Sequence, residues 1–213
     1  MSTGDYEKIK CPICATTFKY WVQHSCYICS CYLDFMPYGA AKVPDPIGKC
    51  PKCSFVFIKK LFSRKEIRII KKNLKENNIF EQEPDMPNYF YLAKEFEMIN
   101  KDIDSIIYYY TSAIWEKYYH PVILSKISNI LFGYYENIDE TNKNYYKYKL
   151  IKLDYLRRLK QFQEALDLIQ SLYNKNNFPI EYRVVLDLQK ELIQKQDTKM
   201  HEMPDIKTEK EEN

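Results

Sequence analysis

CPICATTF (residues 11–18) and CPKCSFVF (residues 50–57) are near copies of each other. Each is Cys-Pro-x-Cys with a phenylalanine four residues after its second cysteine. In such a knuckle one tight turn supplies two thiolates. Proline fixes that turn, and the amides after the first sulfur can donate to the thiolates. Two knuckles complete a tetrahedral set of four sulfurs, with Zn–S distances of ~2.3 Å. The spacing therefore points to zinc held by Cys11, Cys14, Cys50 and Cys53. Four thiolates leave no open coordination position, which makes the site structural. Two other uses of the pattern are a CxxC redox dithiol and iron in a rubredoxin-like cage.

All seven cysteines fall in the first 53 residues, and the other three lie in CYICSCY (26–32) between the knuckles. A rival set would be Cys11, Cys14, Cys26 and Cys29. A second site could draw on His24, Cys26, Cys29 and Cys31. Tyr27 stands where the knuckle proline would be, however, and the neighbours are β-formers. The stretch reads as a strand forming one wall of the small domain, its cysteines acting as small apolar residues.

The chain has 213 residues, 46% of them hydrophobic, with four glycines, twenty tyrosines and a formal charge of +3. Few glycines argue against a phosphate-cradling loop. The N-terminus MSTGDYEKIK (1–10) has no apolar signal region, and no run is long enough to span a membrane. The expectation is a cytoplasmic protein, where close cysteines serve as metal ligands before disulfides.

Three regions follow, and then a tail. Residues 1–62 read as a zinc-ribbon-like β module, with FKYWVQ (18–23) and SFVFI (54–58) as strands. Residues 63–87 read as a helix and linker. Ser63 and Glu66 form a capping box, Phe62 and Ile67 a hydrophobic staple, and Ile67, Ile70 and Leu74 an apolar stripe. Residues 88–197 carry helical periodicity throughout: Ile103, Ile106, Ile107, Tyr110, Ala113 and Ile114, then Pro121 opening a helix with Ile123, Ile127, Ile130, Leu131 and Tyr134 inward. After a polar break at 137–144 come YKLIKLDYLRRLKQ (148–161), FQEALDLIQSLYN (162–174) and a helix opened by Pro179. Residues 153–172 resemble a tetratricopeptide unit, with Phe162 three residues before the small Ala165. The tail 198–213 is expected to be disordered. The fold class is thus mainly α with a small β zinc-ribbon-like module, followed by a bundle of helical hairpins.

The order CPIC, YLDFMPYGA (32–40) and KCPKCSFVF (49–57) resembles the bacterial family grouped as domain of unknown function 2225. The resemblance covers roughly residues 10–175. It implies that Cys11, Cys14, Cys50 and Cys53 are the ligands, with tetratricopeptide-like helices after them. Leu33 to Pro37 answers a family Asp-Leu-Asp-x-Arg-Pro segment, and Ala113-Ile114-Trp115 an Ala-Ala-Trp-like stretch. The chain departs from the family at Ala15 and Ser54, where the knuckle glycines would be. It departs again at Tyr32 and Met36.

No HExxH, GxSxG or P-loop pattern occurs. His24, His120 and His201 are scattered, Asp34 reads as a turn cap, and Glu95 and Glu97 read as an exposed helix face. The expected function is therefore non-catalytic: a zinc-binding scaffold that engages another protein. Tyr108, Tyr109, Tyr119 and Tyr135 fall off the apolar stripes and are its candidate contact residues. The alternative partner is nucleic acid, bound by the zinc module, with Lys49 and Lys52 in its second knuckle, together with the basic helix 59–75. Residues 59–75 hold eight Lys/Arg and one Glu, and Arg64, Arg68, Lys71 and Lys75 line one helical face.

Overall fold

Each knuckle folds as the turn of an antiparallel hairpin in the computed structural model, which describes residues 3–25, 28–39, 47–58, 61–77, 83, 85–117 and 120–204. Strand β1 (Thr3–Lys10) pairs with β2 (Thr17–Ser25) across the first knuckle, in register Lys10↔Thr17 and Ile9↔Phe18. The second knuckle is flanked by the short pair β5 (Gly48–Lys49) and β6 (Val56–Phe57). Between these hairpins in sequence lie β3 (Ile28–Cys31) and β4 (Pro37–Gly39). Strand β1 carries no strand signal of its own. Its alternation of Tyr6, Lys8 and Lys10 with Glu7 and Ile9 is too polar to announce a strand alone, and cross-strand pairing with β2 supplies the rest.

Seven α-helices follow among the described residues. Two compact units emerge, residues 1–28 with 39–123, and residues 29–38 with 124–213. The chain is mainly helical with a small β cysteine module of zinc-ribbon kind.

In the first unit, α1 (Arg64–Asn77) begins as its sequence requires. Ser63 N–H donates to Glu66 Oε2 at 2.7 Å, and Glu66 N–H donates to Ser63 Oγ at 3.3 Å. Phe62, Ile67, Ile70 and Leu74 all pack into the cysteine module's core. Helices α2 (Asn88–Met98) and α3 (Ile103–Glu116) form a hairpin. Its turn places Asn100 at φ 52°, with Lys101 N–H returning to Phe96 O at 3.0 Å and Asn100 N–H to Glu97 O at 3.1 Å. That is a Schellman cap with asparagine in the left-handed position. Asp102 caps α3 through Ser105 N–H at 2.8 Å.

Two expectations on this hairpin are corrected. Tyr109 is buried, wedged edge-on against Phe96 at 4.8 Å and stacked on Tyr89 at 6.2 Å. Glu95 is fully buried instead of facing solvent. Glu97 is partly sheltered and accepts from Tyr110 OH at 2.7 Å. Tyr108 is exposed, as expected. Tyr119 and the Lys75 side chain lie outside the described residues.

Helix α4 (Pro121–Glu136) runs into the second unit, followed by α5 (Tyr145–Arg158), α6 (Phe162–Tyr173) and α7 (Arg183–Gln194). A 3-10 turn at Ile180–Tyr182 precedes α7, so Pro179 opens that turn and not the helix itself. Ala165 is completely buried, and α5 and α6 pack as the expected hairpin. Tyr135 is another correction: it is fully buried, stacked on Tyr148 at 5.5 Å. Helix α4 buries a wider face than one apolar stripe, including Leu124 and Ser128.

The second unit also claims residues 29–38, which the sequence had placed in the cysteine module. Leu33 joins the core made by Leu150, Leu153 and Leu156. Asp34 does cap its turn, accepting Met36 N–H at 3.1 Å, but it also pairs with Arg158 at 3.4 Å in full burial. The tail is partly ordered. Leu33 N–H donates to His201 O at 3.0 Å, and Met203 N–H donates to Cys31 O at 2.8 Å. Residues 205–213 lie outside the described residues.

Arg157, with no exposed surface, anchors the same segment. Its guanidinium donates to Gln189 Oε1 (2.8 Å), Asp154 Oδ1 (2.6 Å), Asp197 O (2.6 Å) and Lys199 O (2.9 Å). No helix among the described residues is long and apolar enough to cross a membrane.

Candidate metal centre

The two knuckles are built alike to the level of single hydrogen bonds. Cys11 N–H reaches Thr16 O at 2.8 Å, and Cys50 N–H reaches Phe55 O at 2.9 Å. Ala15 N–H returns to Cys11 O at 3.0 Å, as Ser54 N–H does to Cys50 O at 2.9 Å. Closing the turn this way forces the residue after each second cysteine into the left-handed region, with φ 62° at Ala15 and 57° at Ser54. A side chain there costs about 1–2 kcal/mol. Ala15→Gly and Ser54→Gly are each expected to stabilise the metal-loaded module by about 1 kcal/mol, less than the full relief because glycine loses more backbone entropy. The midpoint of metal-loaded thermal unfolding checks this, and a fall in either variant would contradict it.

The four sulfurs converge. Cys11, Cys14, Cys50 and Cys53 place their Sγ atoms within 4.8 Å of one another, Cys11 and Cys50 being buried. Cys11 Sγ lies 3.6 Å from Cys53 Sγ, and Cys14 Sγ lies 3.5 Å from Cys50 Sγ. A tetrahedron of sulfurs at ~2.3 Å from a central ion has edges of about 3.8 Å, close to both of these separations. Among the described residues no histidine or carboxylate joins this group. The sequence-derived ligand set is thus brought together as a site that could hold a metal ion.

Local electrostatics separate the four. Cys14 Sγ donates to Thr16 Oγ1 at 3.2 Å, and hydrogen bonding with Thr16, through its side chain first and its backbone second, lowers this thiol to about 6. Burial pushes Cys11 and Cys53 up. Their wrapping is apolar. Phe18 and Phe57, the matching phenylalanines of the two knuckles, meet edge to face at 6.1 Å. Phe55 stacks on Phe57 at 5.6 Å, and Phe62 bridges from Phe55 to Phe96. Gly48 sits close against this wrapping: a Cβ there would lie 3.1 Å from Phe57 Cζ, so the ring would have to give by a few tenths of an ångström.

The other candidates go elsewhere. Cys31 lies in the second unit, where burial raises its thiol. The side chains of His24, Cys26 and Cys29 lie outside the described residues. His120 is exposed, and His201 pairs with Asp197 at 3.1 Å.

Glu95 is the residue near the second knuckle that sequence reasoning missed. Its Oε1 accepts Val56 N–H at 3.4 Å, while Oε2 is buried with no hydrogen-bond partner. Burial raises its carboxyl well above the usual carboxylate range. The folded chain therefore keeps a proton that the unfolded chain releases above about pH 4.3, so this residue's contribution to stability falls as pH rises. Glu95→Gln keeps the shape and removes the titration. It is expected to leave stability near pH 4 almost unchanged and to raise the thermal midpoint at pH 8 relative to the parent. An unchanged difference across that range would contradict the assignment.

Comparison of the chain with protein-family models, with curated proteins and with solved structures finds no match.

Proposed function

We propose that Cys11, Cys14, Cys50 and Cys53 bind one zinc ion as a closed structural site in a non-catalytic protein that serves as a scaffold for a partner protein. The observation that supports this reading most is the tetrathiolate cluster itself, two knuckles of identical hydrogen bonding converging within 4.8 Å. Soft thiolate donors in tetrahedral array suit zinc. Four protein ligands fill its coordination, so the metal supplies folding energy, not a bound water or Lewis acid. Helical hairpins α2–α3 and α5–α6 support the scaffold role, since such pairs present extended surfaces to partners. The duplicated knuckles and the helices beyond them also agree with membership of the domain of unknown function 2225 family, and Ala15 and Ser54 occupy its glycine positions in the conformation glycine favours. A reducing, cytoplasmic setting goes with this use of cysteine.

Cobalt substitution tests the closed site. A cobalt-loaded chain is expected to show a tetrahedral tetrathiolate spectrum that added azide or imidazole leaves unchanged. A shift on ligand addition would reveal an open position and overturn the structural reading.

A second reading, nucleic-acid binding through α1, draws support from Arg64, Arg68 and Lys71, all exposed along one face. Such binding would weaken steeply with salt.

A further inference from the structure

The outer face of the β1–β2 ribbon is an unusual surface for a small module. Tyr6 and Trp21 face each other across the strands, ring centroids 5.4 Å apart at 72°, with 67% and 48% of their surfaces exposed. Strand alternation places Lys8, Lys10, Thr17 and Lys19 on that same side, in pairs Lys8↔Lys19 and Lys10↔Thr17, all exposed. Asp5 and Glu7 alternate onto the opposite side. Ile9, Phe18 and Tyr20 also lie there and are wholly or partly buried. The face is therefore aromatic and cationic together.

The aromatic pair is also held in place. A Cβ at Gly4 would lie 2.5 Å from Trp21 Cζ2 and 2.8 Å from Cε2, so the indole lies across the strand where the chain has no side chain. Burying such rings in the core is the ordinary use of aromatics in this chain, as at Phe55, Phe57, Tyr109 and Tyr135. Here two rings are instead presented to solvent, flanked by three lysines.

We infer that this ribbon face binds single-stranded nucleic acid, with bases stacking on Trp21 and Tyr6 and phosphates lying along Lys8, Lys10 and Lys19. Stacking needs a flat apolar ring open on one side, which the pair supplies for any base. The lysines supply the charge that a phosphate backbone seeks. A duplex hides its base faces and could use only the lysines. The site extends the second reading above to a different surface, and α1 is not required for it.

The test uses the zinc-saturated full chain and a labelled single strand of about twelve uridines, titrated at about 50 mM and about 200 mM salt. Trp21 is one of two tryptophans, and the other, Trp115, is buried. Binding is expected to quench Trp21 emission in a Trp115→Phe background. Trp21→Ala is expected to weaken binding by about tenfold. Lys8→Gln with Lys19→Gln is expected to lower the salt slope by about 1.4 with little effect on folding. Absence of binding by a chain that carries its zinc would overturn this inference and leave the metal site standing. Binding lost in Arg68→Gln with Lys71→Gln but kept in the ribbon variants would also overturn it, leaving α1 as the interface. Equal affinity for a duplex, or capture of an acidic peptide in place of the oligonucleotide, would do the same.

Discussion

Cys50→Ser is expected to lose the bound metal and unfold the cysteine module in one step. Structural zinc in small domains contributes roughly 10–16 kcal/mol of apparent binding energy, more than a module of this size holds in reserve. Cys50 is almost fully buried, and its N–H and carbonyl both close the second knuckle. A serine hydroxyl keeps those backbone bonds but is a poor ligand and leaves a polar group in an apolar shell. That shell is small: Cys11, Cys50, Phe55, Phe57 and Ile70 at its centre, with partly buried side chains such as Ile9, Phe18, Phe62, Ile67 and Leu74 against them. A core of that size does not hold a fold alone. Zinc content and near-ultraviolet dichroism of the purified variant check the expectation. Cys31→Ser, in the second unit, is expected to keep the full complement of metal. Zinc retained in Cys50→Ser, or lost in Cys31→Ser, would contradict the ligand assignment.

Arg157→Leu is expected to cost the second unit about 3–5 kcal/mol. The guanidinium has no contact with water, and four acceptors depend on it. Removing it leaves the Asp154 carboxylate buried, held by Gln189 at 3.2 Å and by Arg158 at 3.6 Å. It also strips the carbonyls of Asp197 and Lys199, which tether the segment that pairs with Cys31 and Leu33. Thermal unfolding gives the magnitude. Trypsin gives the location, since cleavage after Lys199 is expected to become fast when the segment is released. Arg157→Lys is expected to recover only part of the loss, because an ammonium cannot span acceptors arranged around a planar fork. Full stability in either variant would contradict the account of this network.

Local signals in the sequence carry much of this architecture. The repeated CPxC knuckles, each followed at the same distance by phenylalanine, name the four sulfurs and even the two rings that meet behind them. Capping residues Ser63 and Glu66 mark the start of α1 correctly, because a cap is satisfied within one helical turn. What the sequence hides is contact at long range. Asp34 looks like a turn residue because its partner Arg158 lies 124 positions away. That contact, with the pairing of 201–203, moves residues 29–38 out of the cysteine module. Glu95 and Glu97 look equivalent, yet two residues turn a helix by about 200°, and only the packing of α2 on β6 decides which is buried. Tyr109 and Tyr135 depart from expectation for a related reason. Helix α3 is buried in an unbroken run from Tyr109 to Trp115, and α4 buries Leu124, Ser128 and Tyr135 beside Ile127 and Leu131, so a single apolar stripe understates the buried face.

Zinc K-edge X-ray absorption of the purified full chain tests the central claim most directly. One zinc per chain, with four sulfur neighbours at about 2.3 Å and no nitrogen or oxygen in the shell, is the result this account expects. Iron in place of zinc, a mixed sulfur and nitrogen shell, or a chain that folds without any metal would contradict it.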